Sequence, residues 1–272
     1  MDSTLEEIVG GCLKSGYVSR IGVYAEDVES GEKIFELNSQ AVFRSASTIK
    51  LAVAYEVMRR VDAGLLRLED AVNIEHSKFV GGSGLMRLMA GNIKPSIECM
   101  LQLMLTVSDN SASNILIDVV GKSSVNNSMR ELGLIRTTLA GKFMYTRKKR
   151  FNSTTPADMV RLISAIYRGR GLSAKSSRLL NKILSFQQHT GLIPSSLPGW
   201  WVKTINKPGA LSDLRADVAV VWCRDWAYSV AIFVEGFKDS YMGERCVREI
   251  SRGVFDAFTA KRGGVARGEL GK

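Results

Sequence analysis

Histidine is scarce in this sequence. His76 and His189 are the two among 272 residues. Serine–histidine–aspartate triads and histidine-rich zinc sites are poorly supplied by such a chain, so lysine or a carboxylate is the expected base of any enzyme built on it. Cysteine is almost as thin. Cys12, Cys99, Cys223 and Cys246 form no Cys-x-x-Cys pair and no dense framework, which excludes a disulfide scaffold and reads as four scattered reduced thiols. No metal site and no cofactor motif is read. No apolar stretch approaches the roughly 18 residues of a membrane span; runs such as Val218 to Cys223 are strand-sized. The first residues, Met-Asp-Ser-Thr-Leu-Glu-Glu, are acidic where a secretory leader would begin basic and continue apolar. As written, the chain reads as cytoplasmic, or as periplasmic or extracellular if a leader has been removed.

Negative charge is also in deficit. Lys plus Arg is 37 against 27 for Asp plus Glu, a formal charge of +10. The basic residues are scattered, apart from Arg147, Lys148, Lys149 and Arg150. No aromatic-interleaved strand of RNA-binding type and no zinc finger accompanies them, so they read as solvated surface and not as a nucleic-acid site. With 45% apolar and 24% charged residues, the composition is that of a globular monomer with ample core.

The apolar pattern orders the elements. Leu5, Ile8, Val9, Cys12 and Leu13 predict a helix over residues 4–15. Residues 19–28 and 33–37 predict a hairpin, and 47–63 a helix ending at Gly64. The chain then stays helix-rich to Gly133, and 134–153 reads as loop. Thr155 and Pro156 open a helix to Tyr167, and another covers 174–187. Strands are expected at 201–206, 214–223 and 227–236, with a last helix at 241–260. Two strands alone are marginal, so the early and late strands are expected to share one sheet. The fold class is then α/β (α+β): a five-stranded antiparallel sheet flanked by helices, with an inserted all-helical lobe. The expected division is an α/β lobe of residues 1–45 and 190–262, a helical lobe of 46–189, and a flexible tail of 263–272.

Three short motifs carry chemistry. The first is Ser47-Thr48-Ile49-Lys50, at the start of a helix. Side chains at i and i+3 share a helix face, and the helix N-terminus favours an alkoxide or oxyanion beside it. A lysine desolvated there, near a second cation, serves as a base. Ser47 also fits a plain N-cap, and Ser30 with Lys33 matches the same spacing inside the hairpin turn. The second motif, Ser108-Asp109-Asn110, suits a proton relay at Ser108 and an amide at Asn110; it fits a helix-boundary loop equally. The third, Lys207-Pro208-Gly209, reads as a turn between strands. Gly209 would permit close backbone approach to a bound acyl group, and the N–H of Ala210 would join that of Ser47 in an oxyanion hole.

In this order the motifs resemble those of the class A β-lactamase and penicillin-binding-protein superfamily, whose signatures are Ser-x-x-Lys, Ser-Asp-Asn and Lys-Thr-Gly. The similarity extends to Phe43 to Lys50, Leu105 to Asn114, Ile193 to Pro198 and Asp217 to Trp222, and covers roughly residues 4–260. It implies an acylated nucleophile at Ser47 with Lys50 as base or relay. It further implies proton delivery by Ser108, a substrate amide on Asn110, and a substrate carboxylate near Lys207. The implied substrate is a small molecule or peptide, anionic, with no nucleic acid or membrane as partner.

Two departures bear on that activity. Class A enzymes deacylate with a Glu before the Thr-Thr-Pro helix. Here residues 133–156 contain no Asp or Glu but six basic residues: Arg136, Lys142 and the four of the 147–150 cluster. Asp109 and Asp213, within or beside the motifs, are the nearest carboxylates left to substitute. Pro208 removes the hydroxyl of Lys-Thr-Gly; Arg215 on the next strand is placed to offset it, and fits a solvated strand-end arginine as well. The expected activity is a serine hydrolase forming an acyl-Ser47 intermediate on a β-lactam or peptide, with slow deacylation. A D,D-peptidase, an acyl-transfer enzyme and a non-catalytic β-lactam or peptidoglycan-fragment sensor are the alternatives.

Overall fold

The structure, a computed structural model, describes residues 3–14, 16–74, 76–89, 94–145, 151–199 and 201–262. The 147–150 cluster and the 263–272 tail lie outside them. The chain begins with α1 (Ser3–Lys14), β1 (Arg20–Asp27) and β2 (Lys33–Leu37), then a short β3 (Phe43–Arg44). A 3-10 turn over Ala46–Ile49 leads into α2 (Lys50–Asp62). Helices α3 (Ile97–Thr106), α4 (Asn110–Val120) and α5 (Lys122–Glu131) follow, then β4 (Ser153–Thr154), α6 (Pro156–Arg168) and α7 (Ala174–Ser185). The chain closes with β5 (Lys203–Leu211), β6 (Leu214–Cys223), β7 (Trp226–Glu235) and α8 (Ser240–Lys261). No helix among the described residues is long and apolar enough to cross a membrane.

The main sheet has five antiparallel strands in the order β2-β1-β7-β6-β5, which joins the N-terminal hairpin to the C-terminal strands as expected. Alternation along β6 distributes its side chains. Leu214, Ala216, Val218 and Val220 enter the core shared with the helices between β3 and β5, whereas Ala219 and Val221 join the core under α1 and α8. Burial on both faces explains the near-continuous apolar run from Val218. Thr155 caps α6 by accepting from Asp158 N at 3.1 Å, with Pro156 in the first turn, an arrangement worth about 1 kcal/mol.

One expectation is corrected. Lys207-Pro208-Gly209 is not a turn but the middle of β5, and the turn falls at Ser212 and Asp213. The reason is position. β5 is the edge of the sheet, where Pro208 can lack an N–H without breaking an internal ladder. The outer edge of β5 is then free to border a cleft. Ser30 and Lys33 stay in the hairpin, where Lys33 Nζ meets Glu36 Oε1 at 2.9 Å.

Candidate active site

Ser47 is the second residue of the 3-10 turn before α2, not its N-cap, and stands half-exposed. Ala46 just before it has φ of +46°, and Ser108 has φ of +57°. Non-glycine residues rarely hold this conformation, and such strain concentrates where side-chain placement matters more than local comfort. Both serines line a cleft of about 410 Å³, together with Gly209, Ala210 and Arg215.

Lys50, Asn110 and Lys207 lie buried beneath that lining. Lys50 Nζ donates to Ser108 O at 2.6 Å, Ser108 Oγ at 3.0 Å and Asn110 Oδ1 at 2.9 Å. Lys207 Nζ donates to Ser108 Oγ at 3.1 Å and to Pro208 O at 3.0 Å. The Ser108 hydroxyl oxygen thus faces two amines. Asn110 Nδ2 donates to Gly81 O at 3.1 Å, so this amide ties Lys50 to the 81–84 loop. Burial holds Lys50 well below its ordinary value, and the neighbouring Lys207 charge adds to the shift. Burial likewise pushes Lys207 down to about 7, against the pull of Asp217. Asp217, which accepts from Asn206 Nδ2 and Ile193 N at 3.1 Å each, is pushed up to about 7 by burial.

The carboxylates named as substitutes are engaged elsewhere. Asp109 caps α4 through Ala112 N at 2.9 Å and takes Leu85 N and Met86 N at 2.7 and 2.8 Å. Asp213 is paired with Arg44 at 2.8 Å. Of the basic residues before α6, Lys142 pairs with Asp118 at 2.7 Å. A buried Lys–Ser–Lys array lies beneath a half-exposed serine, and a model of the β-lactamase enzyme family matches residues 2–258.

The chain belongs to the β-lactamase enzyme family. β-Lactamase CARB-3 of Pseudomonas aeruginosa is 26% identical over 256 residues, spanning 89% of this chain and 86% of that enzyme. A solved β-lactamase from Sphaerobacter thermophilus has a TM-score of 0.88 at 28% identity, covering 94% of this chain and 97% of that one. A PBP-A variant, solved as an acyl-enzyme complex with penicillin G, has a TM-score of 0.86 at 25% identity, covering 95% of this chain and 97% of that one.

Within this β-lactamase-family cleft, Arg215 is only partly available. Its Nε meets Glu244 Oε1 at 3.1 Å, and Nη1 donates to Leu211 O at 2.7 Å and Leu214 O at 3.1 Å. Glu244 itself lines the cleft, as do Ser83, Gln188, His189 and Thr190. None of these was singled out for the site from sequence. Ser83 lay in a glycine-rich loop and Glu244 inside an ordinary amphipathic helix, and neither local pattern signals a cleft.

Proposed function

We propose that this β-lactamase-family protein is a serine hydrolase of β-lactam-type or peptide amides, with Ser47 as the acylated nucleophile and slow hydrolysis of the acyl-enzyme. The observation that carries the reading is the Ser108 hydroxyl held between Lys50 and Lys207 beside Ser47 in one cleft. Burial favours the uncharged amine of Lys50, which takes the Ser47 proton as Oγ attacks the carbonyl carbon. The backbone N–H groups of Ser47 and Ala210 receive the oxyanion. As the C–N bond breaks, Ser108 passes a proton to the leaving nitrogen, and the Lys50 ammonium restores it. Lys207 supports a substrate carboxylate, and Asn110 holds Lys50 in register.

The relatives named β-lactamase favour hydrolysis. The absence of any Asp or Glu from Gly133 to Pro156 favours a second reading, a penicillin-binding enzyme of D,D-peptidase or acyl-transfer type, for which the penicillin-acylated PBP-A variant is a structural parallel. Intact-protein mass after brief exposure to a penicillin, followed over time, tests both. Wild type is expected to gain one penicilloyl mass that persists for minutes or longer; Ser47→Ala should gain none. Lys50→Ala should acylate roughly 10²-fold more slowly or worse. Equal labelling of wild type and Ser47→Ala removes the assignment. Turnover on the order of 10 per second without an adduct removes the slow step.

A further inference from the structure

Two of the four cysteines that read as scattered along the sequence meet in the structure. α1 and α8 share the core that also holds Ala219 and Val221 of β6. The two helices run antiparallel. A Cβ added at Gly253 would stand 2.6 Å from Leu5 Cδ1, whereas Cys12 Sγ donates to Glu249 Oε2 at 3.9 Å, so a step forward along α1 is a step back along α8. Cys12 follows Leu5 by two turns on the same face, and Cys246 precedes Gly253 by two turns. This register sets Cys12 opposite Cys246, and the Cys12 thiol does donate a hydrogen bond to the Cys246 sulfur. Both side chains are buried and both thiols are free. Cys99 on α3 and Cys223 at the end of β6 belong to other elements.

The pair has the asymmetry of a reactive dithiol. The hydrogen bond from Cys12 pushes the Cys246 thiol down, against burial, and the same bond together with burial pushes the Cys12 thiol up. Arg245 favours both thiolates and Glu249 opposes them; these two charges are themselves paired at 2.6 Å.

We propose that Cys12 and Cys246 form a redox modification site, which a small peroxide oxidises to a disulfide tying α1 to α8. The site stands apart from the Ser47 chemistry and does not depend on it. With hydrogen peroxide, the Cys246 sulfur attacks one oxygen, the O–O bond breaks, and the departing hydroxide leaves as water with the thiol proton. Cys246 is then a sulfenic acid. The Cys12 sulfur attacks that sulfur, the S–O bond breaks, and the hydroxyl leaves as a second water with the Cys12 proton. Two thiols are oxidised to one disulfide and one peroxide is reduced to two waters. The closed loop runs from the first helix to the last, and a cross-link restricts the unfolded chain more the longer the loop it closes.

The test treats the reduced, folded full chain with hydrogen peroxide, then alkylates the remaining thiols in denaturant and maps peptides by mass without reduction. Wild type is expected to lose two of its four alkylatable thiols and to give one peptide pair joined through Cys12 and Cys246. Its melting temperature should rise by roughly 5 °C or more and return on adding dithiothreitol. A Cys99→Ser, Cys223→Ser double variant should behave as wild type does. Cys12→Ser and Cys246→Ser should each give neither the joined pair nor the rise. The wild-type map decides the matter even where a serine variant fails to fold. Four thiols retained, a sulfinic acid at Cys246 with no joined peptide, a pair joined through Cys99 or Cys223, or a joined pair that leaves the melting temperature unchanged overturns the proposal.

Discussion

Gly209 lies directly against the backbone nitrogen of Ser47. A Cβ added at residue 209 would stand 3.1 Å from that nitrogen, 3.0 Å from Ala46 Cβ and 3.2 Å from Ser45 O. The glycine therefore admits the Ser47 turn to the edge strand, where sequence alone had assigned the space to a bound acyl group. Gly209→Ala should displace β5 from this turn by a few tenths of an ångström or more. Overpacking of this kind costs about 1–3 kcal/mol, and misplacing a reacting group by ~1 Å costs up to roughly 10²-fold in rate. The labelling rate with a fluorescent penicillin should fall more steeply than the melting temperature; an unchanged rate would show that the contact is not needed.

In the proposed role, Lys207 would tie substrate binding to pH. Burial lowers its pKa to about 7, so below that midpoint it carries the charge that a substrate carboxylate needs, and above it the charge is lost. Asp217, itself raised to about 7 by burial, supports this charge when ionised. KM for a carboxylate-bearing penicillin should rise as pH passes from about 6 to about 8, with the midpoint moved upward when the anion is bound. An ester substrate without a carboxylate should show no such rise. A flat KM for both contradicts the assignment.

Glu244 neutralises Arg215 at the mouth of the cleft. Both groups are partly exposed, with side-chain exposures of 16% for Arg215 and 37% for Glu244, so the pair is worth about 0.2–1 kcal/mol. Glu244→Gln should leave Arg215 free to meet an anion and lower KM for carboxylated substrates by roughly two- to fivefold. Steady-state or burst titration with carboxylated and methyl-esterified forms of one substrate separates this from a general change. Equal effects on the two forms would count against it.

Both carboxylate oxygens of Asp109 are taken by backbone N–H groups. The side chain holds the start of α4 and the backbone at Leu85 and Met86 together from a buried position. Asp109→Ala leaves buried N–H groups unpaired and should cost roughly 1–3 kcal/mol in urea unfolding. Asp109→Asn retains part of the cap and should cost less. If Asp109→Ala unfolded like wild type yet lost deacylation, Asp109 would be a base after all.

Much of the fold was legible in the residue pattern because the signals are local. Strand-sized apolar runs marked β6 and β7, threonine with proline marked the start of α6, and a glycine closed α2. The three motifs likewise named Ser47, Lys50, Ser108 and Lys207, since each depends on neighbours within one turn or strand. What the pattern missed depends on partners distant in the chain. Lys50 donates to Ser108 and Asn110, 58 and 60 residues away. The cap over Lys50 is Phe143, from a segment that showed only charge and weak periodicity. Arg215 is compensated by Glu244, 29 residues on. The Lys-Pro-Gly segment is strand because it lies on a sheet edge. Which residue types can do the chemistry is written in short spacings; which of them are dry, paired or capped is decided by the packing of separate elements, because burial and Coulomb contact act through space and not along the chain.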